Sequence, residues 1–432
     1  MIRHASPARA LLAAVLAACA VPAQALSLSE AASLALQNDP RLRAAGDAVD
    51  ASRAQVGEAR AGYRPSASLS ASTGLSRYYL SPALTNQLPV NLSGPGNPNN
   101  ATLQASQPLY TGGLTSAQLD ASKSQLEGAR QNETGTRQQL LLNAAAAYLD
   151  VKRDRTDIDL AQANVTALQQ DLSDTQKRYD AGEATRTDTS QAEARLAEAR
   201  ANLKRAEANT QVSEAGFARI VGVAPDNLAS DWPMPAVPGS LDEALANAGL
   251  TPSVLAADAQ RRSAEAQIDV ARADYYPSLA LNGSAVAQGD TKIDADRYRD
   301  WAVQLKATMP LYTGGATRAK VSAAKAQAAQ AADELEDARH AAVESITQSW
   351  SLLQAAEELI RAYRAEVDAA SLSLDDARKE LQAGTKTTKD VLDAERDKVS
   401  AQIDLAGSQH DRAVAAFQLL AACGKLRLED VK

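Results

Sequence analysis

The chain has 432 residues, enough for two or three ordinary domains. Aromatic residues make up only 4% of it and the formal net charge is −8, which excludes a core built on aromatic packing and argues against nucleic-acid binding, since phosphate neutralisation needs basic surface. Ala, Leu, Gln, Ser and charged residues fill most of the length, a mixture that favours long helices packed through small side chains.

Residues 1–25 read as a secretory signal peptide. Arg3, His4 and Arg9 form a basic start, residues 10–21 an apolar run too short to span a membrane, and Ala23-Gln24-Ala25 a small-residue cleavage pattern. Leu16-Ala17-Ala18-Cys19 also resembles a lipoprotein processing box, so lipidation of Cys19 is the alternative. Only Cys19 and Cys423 exist, and removal of Cys19 with the signal leaves no intrachain disulfide. No apolar run of about 18 residues follows, so membrane contact would fall to β-strands.

The first repeat is expected over 26–221. A helix from about Leu28 to Ala61 opens it, with Ser27 or Ser29 as N-cap and Glu30 favourable to the helix dipole. Strands at 66–79 and 100–107 alternate, with Ala67, Leu69, Ala71, Leu103 and Ala105 against Ser, Thr, Asn and Gln. A long helix at 113–180 contains no Pro and would measure roughly 100 Å. A turn at Ala181-Gly182 leads into a helix at 184–221, where Thr189, Ala192, Leu196, Ala199, Leu203, Ala206, Thr210, Ser213, Phe217 and Ile220 mark a heptad seam.

A Pro-rich linker at 222–239 separates this from a second repeat at 240–424: a helix, strands at 278–288 and 298–309, a long helix at 315–382 and a helix at 386–422, then a C-terminal tail at 425–432. Gln107-Pro108-Leu109-Tyr110-Thr111-Gly112-Gly113 returns as Met309-Pro310-Leu311-Tyr312-Thr313-Gly314-Gly315, and Ala181-Gly182 as Ala383-Gly384. The two recurrences share one spacing, which fixes the length of the long helix between them. Pro65, Pro108, Pro277 and Pro310 are expected at the four strand–helix junctions, with the paired glycines letting the chain re-enter a helix.

Four strands of period two, each about ten residues long, match transmembrane barrel strands. Four strands cannot close a barrel, and an open edge is not tolerated in lipid. Three copies would give twelve strands, hence a homotrimer in contact with outer-membrane lipid. Tyr110, Tyr312 and Trp301 suit an aromatic belt. His4, His340 and His410 lie far apart and no phosphate-binding glycine loop exists, so no enzyme, metal or cofactor is expected. A periplasmic coiled-coil scaffold without a pore is the competing reading of the helices.

The duplicated P-L-Y-T-G-G junction, the duplicated A-G turn and the run Gly384-Thr385-Lys386-Thr387-Thr388-Lys389-Asp390-Val391-Leu392-Asp393-Ala394 resemble the TolC-type outer membrane factor family over essentially the whole mature chain. The resemblance implies a mainly α fold with membrane β: a trimeric 12-stranded barrel continued by a coiled-coil α-barrel, exporting solutes passively. It implies a periplasmic adaptor and an inner-membrane ABC or proton-driven transporter as partners. The tips at Gly182 and Gly384 would be the periplasmic aperture and adaptor contact, with Thr187 and Asp188 as acceptors, Lys386 as their basic partner, and Asp390 and Asp393 as an acidic ring. Leu381 stands where the family often has Tyr, and Lys386 where Arg would pair bidentately. A lipid-anchored metal or drug efflux branch of the same family remains the alternative if Cys19 is acylated.

Overall fold

The computed structural model describes residues 25–78, 94–229, 234–289 and 297–431. The expected signal segment up to residue 24, the centres of the two strand-connecting loops, Asp231-Trp232-Pro233 of the linker and Lys432 lie outside the described residues. The rest forms two compact units. One holds residues up to Ala44, Thr134–Thr251 and the chain from His340; the other holds Ala45–Glu133 and Pro252–Arg339.

The second unit carries the sheet. Strands β1 (Ser66–Thr73), β4 (Asn99–Tyr110), β5 (Ser278–Gly289) and β6 (Arg297–Thr308) are antiparallel in the order β1-β4-β5-β6. The expected strand 66–79 breaks at Gly74-Leu75, and a separate pair forms from β2 (Ser76–Tyr78) and β3 (Gly94–Gly96). Register aligns like with like across the sheet. Ala67 faces Ala105, Ala105 faces Gly283 and Gly283 faces Val303; Leu69, Leu103, Ala285 and Trp301 form the next row. The opposite face sets Ser66, Ser106, Asn282 and Gln304 in one row and Ser68, Gln104, Ser284 and Ala302 in another. Period-two sequences in four strands therefore produce one apolar and one largely polar surface. The apolar surface is open: Trp301 is 77% exposed and Val303 64%.

Pro108 does not mark a junction. It lies inside β4 opposite Ala280, with a register shift between it and Tyr110. β1 pairs with β4 no further than Ser106, so Pro108 sits where β4 has a single neighbour, and a bulge accommodates its missing donor. Pro65 and Pro277 precede β1 and β5, and Pro310 follows β6. Tyr110 lies at one end of this face, whereas Trp301 lies near its middle in the row beside Val303, so the two do not share one belt.

Helices α3 (Leu114–Asp180) and α7 (Ala316–Gln382) each run 67 residues. Gly112 (φ 66°) and Gly113 (φ 88°) turn the chain into α3. At Gly112 glycine is also required by space, because a Cβ would lie 2.8 Å from Tyr276 Cβ and 3.0 Å from the Ala273 carbonyl. The expected first helix is two helices, α1 (Leu28–Asn38) and α2 (Pro40–Ala61). Pro40 cannot donate to a preceding turn and pushes Asp39 into extended backbone (φ −70°, ψ 123°). The Asp39 carboxylate then caps α2, accepting from the Arg41 amide at 2.7 Å. Ser27, not Ser29, caps α1 in a reciprocal box with Glu30. The second repeat breaks similarly, into α5 (Leu241–Leu245), a 3-10 turn and α6 (Pro252–Ala273).

The first unit is centred on a core of α1, α3, α4 (Arg186–Val221) and α8 (Thr388–Ala422). Leu141, Ala144, Ala145, Tyr148 and Val151 present one face of α3 to Ala31, Ala35, Phe217 and Phe417. Both Phe residues of the chain are fully buried here. The expected tail at 425–432 is part of this core: Leu428–Val431 forms a 3-10 helix, and Leu426 and Val431 are buried with Leu28. Burial of these three apolar side chains outweighs the disorder of a free terminus.

Candidate functional site

The two hairpin turns are built alike. α3 ends in a Schellman turn at Gly182 (φ 78°), with Glu183 N–H donating to the Arg178 carbonyl at 2.8 Å and Gly182 N–H to Tyr179 at 2.9 Å. α7 ends identically at Gly384 (φ 75°), where Thr385 donates to Glu380 at 2.9 Å and Gly384 to Leu381 at 3.1 Å. A Cβ on either glycine would meet nothing within 4 Å, so backbone conformation alone demands glycine there.

The next helices open on reciprocal caps. Thr185 caps α4: its amide and hydroxyl donate to Asp188 Oδ2 at 2.8 and 2.7 Å, and its hydroxyl accepts from the Asp188 amide at 3.3 Å. Thr387 and Asp390 repeat this at the start of α8. The Thr185 amide and hydroxyl hold the Asp188 carboxyl below the usual range, and the Thr387 hydroxyl and amide do so for Asp390. Thr185→Ala or Thr387→Ala should each cost about 1 kcal/mol of local stability, read as faster amide exchange in the first turn of α4 or α8.

These caps occupy two residues expected at the aperture. Lys386 is also engaged within its own hairpin: Nζ lies 2.8 Å from Glu380 Oε2, and that pairing raises its pKa. Thr187 is exposed. Within one chain the described residues show no bond from Lys386 to Thr187 or Asp188. Leu381, in the place of the family's Tyr, packs with Leu374, Ala377 and Val391.

Asp393 joins the two hairpins. Its carboxylate lies 2.8 Å from Arg195 Nη2 on α4 and 2.9 Å from Lys389 Nζ on α8; Lys389, then Arg195 and Arg396, depress its pKa. Deeper between the hairpins, α3 contributes Asp171, α7 Arg378 and α8 Glu395, whose side chain is only 4% exposed. A cleft of about 940 Å³ is lined by Asp171 and Arg378 together with Leu381, Val391 and Leu392. Sequence reasoning missed Arg195, Arg378 and Asp171. Glu395 carried a signal: it falls on the buried stripe with Val391 and Leu392, where an acid has no ordinary reason to be.

No described helix is long and apolar enough to cross a membrane. β4, β5 and β6 have 12 residues each. Strands of roughly 40 Å, tilted by about 40°, span roughly 30 Å, the thickness of a hydrocarbon layer.

The sequence profile of the outer membrane efflux protein family matches the chain twice, over residues 31–223 and 241–425. The outer membrane efflux protein BepC of Brucella suis is 32% identical over 332 residues, covering 76% of this chain and 73% of BepC. The outer membrane protein TolC of Vibrio cholerae is 26% identical over 94% of this chain and 92% of its own. Among solved structures, CusC superposes with a TM-score of 0.82 at 19% identity, covering 92% of each chain. With its hairpins, its exposed apolar sheet face and these relatives, the chain belongs to the outer membrane efflux protein family and is an outer-membrane channel of efflux or secretion, its helical tunnel in the periplasm.

Proposed function

We propose that three copies of the chain close a 12-stranded barrel and a helical tunnel, forming the passive exit duct of a tripartite system. A periplasmic adaptor would dock at the Gly182 and Gly384 tips, and an inner-membrane ABC or proton-driven transporter would supply the energy. The repeats at 26–221 and 240–424, joined by 222–239, each contribute two strands and one hairpin. One observation carries this reading: the four-stranded sheet has an open apolar face and, among the described residues, no partner beyond β1 or β6. In lipid those edges demand strands from other chains. Exposed Leu352, Leu359 and Leu372 on α7 support contacts between copies. Light scattering and crosslinking of the detergent-purified chain should give a trimer. A monomer soluble without detergent would end the proposal.

The aperture is proposed at the tips. Thr187 and Asp188 would accept from Lys386 of a neighbouring copy, and three Asp390–Asp393 pairs would form a negative ring favouring cations. The Arg195–Asp393 pair ties each second hairpin to its first. Lys386→Ala, Asp188→Ala and Arg195→Ala are each expected to raise single-channel conductance in planar bilayers, and unchanged conductance in all three would remove the gate from these residues.

A further inference from the structure

The hairpins meet at one contact that no donor explains. Asp171 Oδ2 on α3 and Glu395 Oε2 on α8 are both buried, and no hydrogen-bond donor reaches either oxygen among the described residues. The two carboxyls lie within hydrogen-bonding reach of each other. Both are acceptors when ionised, so the contact is repulsive unless a proton lies in it. Arg378 on α7 donates to the other Glu395 oxygen, Oε1. We propose that Asp171 and Glu395 share one proton between the two hairpins, making this contact a proton-dependent clasp on the aperture.

Charge balance supports a single proton. Two carboxyls with one proton carry one negative charge, which Arg378 neutralises. Without the proton, a net negative charge stays between packed helices, where its desolvation is costly. The groups acting on the pair are few. Arg378 and Asp171 act on Glu395; Glu395, Arg378 and Asp174 act on Asp171. Asp174 is itself bonded to Lys177 and Gln170, while Arg178 and Glu183 line the same cleft. Burial, then the Asp171 charge, pushes the Glu395 carboxyl up to about 7, and burial raises that of Asp171. The proton exchanges through the cleft, which Asp171 lines.

The cluster is not inherited from the duplication. The positions equivalent to Asp171 and Arg378 in the other repeat are Ser373 and Gln176, and the counterpart of Glu395 is the exposed Glu193. Only the contact between first and second hairpin has it.

The sign follows from linkage. The folded Glu395 holds its proton up to about 7, whereas an unfolded Glu releases it near 4.5. The clasped state therefore loses stability as pH rises from 4.5 towards 7, and the penalty is complete above 7. Hairpins joined by the clasp should part more readily on the alkaline side.

The inference rests on the channel reading, and its test separates the two. The full chain, purified as the assembled channel, is placed in planar bilayers from pH 5.5 to 8.5. Wild-type conductance should rise with a midpoint near 7. Glu395→Gln supplies a permanent donor to Asp171, so the channel should keep its low-pH conductance throughout; Asp171→Asn should do the same, and the half-buried titratable pair of His410 Nε2 and Asp150 Oδ1, 2.9 Å apart, is unchanged in both. A wild-type midpoint retained in both variants would overturn the clasp. If neither variant assembles, infrared titration of the wild type decides: loss of one protonated carboxyl band per chain between pH 6 and 8 supports the shared proton, and absence of that band refutes it. A wild type that never conducts would defeat the channel reading, while the infrared titration would still test the clasp.

Discussion

Val303→Arg should abolish the trimer in the outer membrane, whereas Gln304→Arg, its neighbour on the same strand, should assemble. Val303 belongs to the middle row of the apolar face, beside Gly283, Ala105 and Ala67. An arginine facing lipid near the bilayer midplane costs about 2–4 kcal/mol. Three copies would place about 6–12 kcal/mol against assembly, comparable with the whole stability of a typical domain. Gln304 points to the other face, opposite Asn282, which in turn accepts from Ser106 at 2.8 Å. In a wet lumen an arginine keeps its water, and its effect should be reduced cation conductance. Heat-modifiable trimer in outer-membrane fractions distinguishes the two variants. Assembly of Val303→Arg with failure of Gln304→Arg would mean that the polar face meets lipid.

That contrast was legible before any coordinates, because period two in a strand assigns every residue to a face. The hairpin turns were equally open to reading: a glycine followed by Thr-x-x-Asp announces a Schellman close and a capping box. Other errors had visible warnings. Pro40 after Asp39 ends a helix by the same rule that places Pro252 at the start of another, and Leu426, Leu428 and Val431 have apolar spacing unsuited to a free tail. Pro108 was misplaced because a bulge depends on how far β1 extends, which is a property of pairing and not of β4. Apart from the acid at Glu395 on an apolar stripe, the tip electrostatics could not be read. Lys386 reaches Glu380 only because the turn folds the chain back by one helical turn. Arg195 meets Asp393, and Asp171 meets Glu395, through the register of one hairpin against the other. Nothing in either repeat alone records that register.

Phe217→Ala should lower stability by about 3–5 kcal/mol, more than any single change at the tips. The reason lies in composition. With 4% aromatic residues, most of the buried apolar side chains are Ala or Leu, and Ala buries little area. The centre of the first unit is the exception. Phe217 and Tyr148 lie fully buried with ring centroids 6.4 Å apart. The Tyr148 hydroxyl donates to the Ala229 carbonyl at 3.0 Å and also lies 3.2 Å from that of Leu26, where Leu26 bridges Leu228. Removing the ring opens a cavity beneath α1 and loosens the contact that holds Leu26 against Leu228. Tyr148 has Trp350 as its counterpart in the second repeat, which is only half-buried, so the duplication offers no second core to compensate. Trimer denaturation of a membrane protein is commonly irreversible, so the measurement is the rate of proteolysis after brief exposure to denaturant. Phe217→Leu, which keeps most of the volume, should recover most of the loss. Equal susceptibility of Phe217→Ala and wild type would show that the small-residue seams, and not this aromatic centre, hold the helices together.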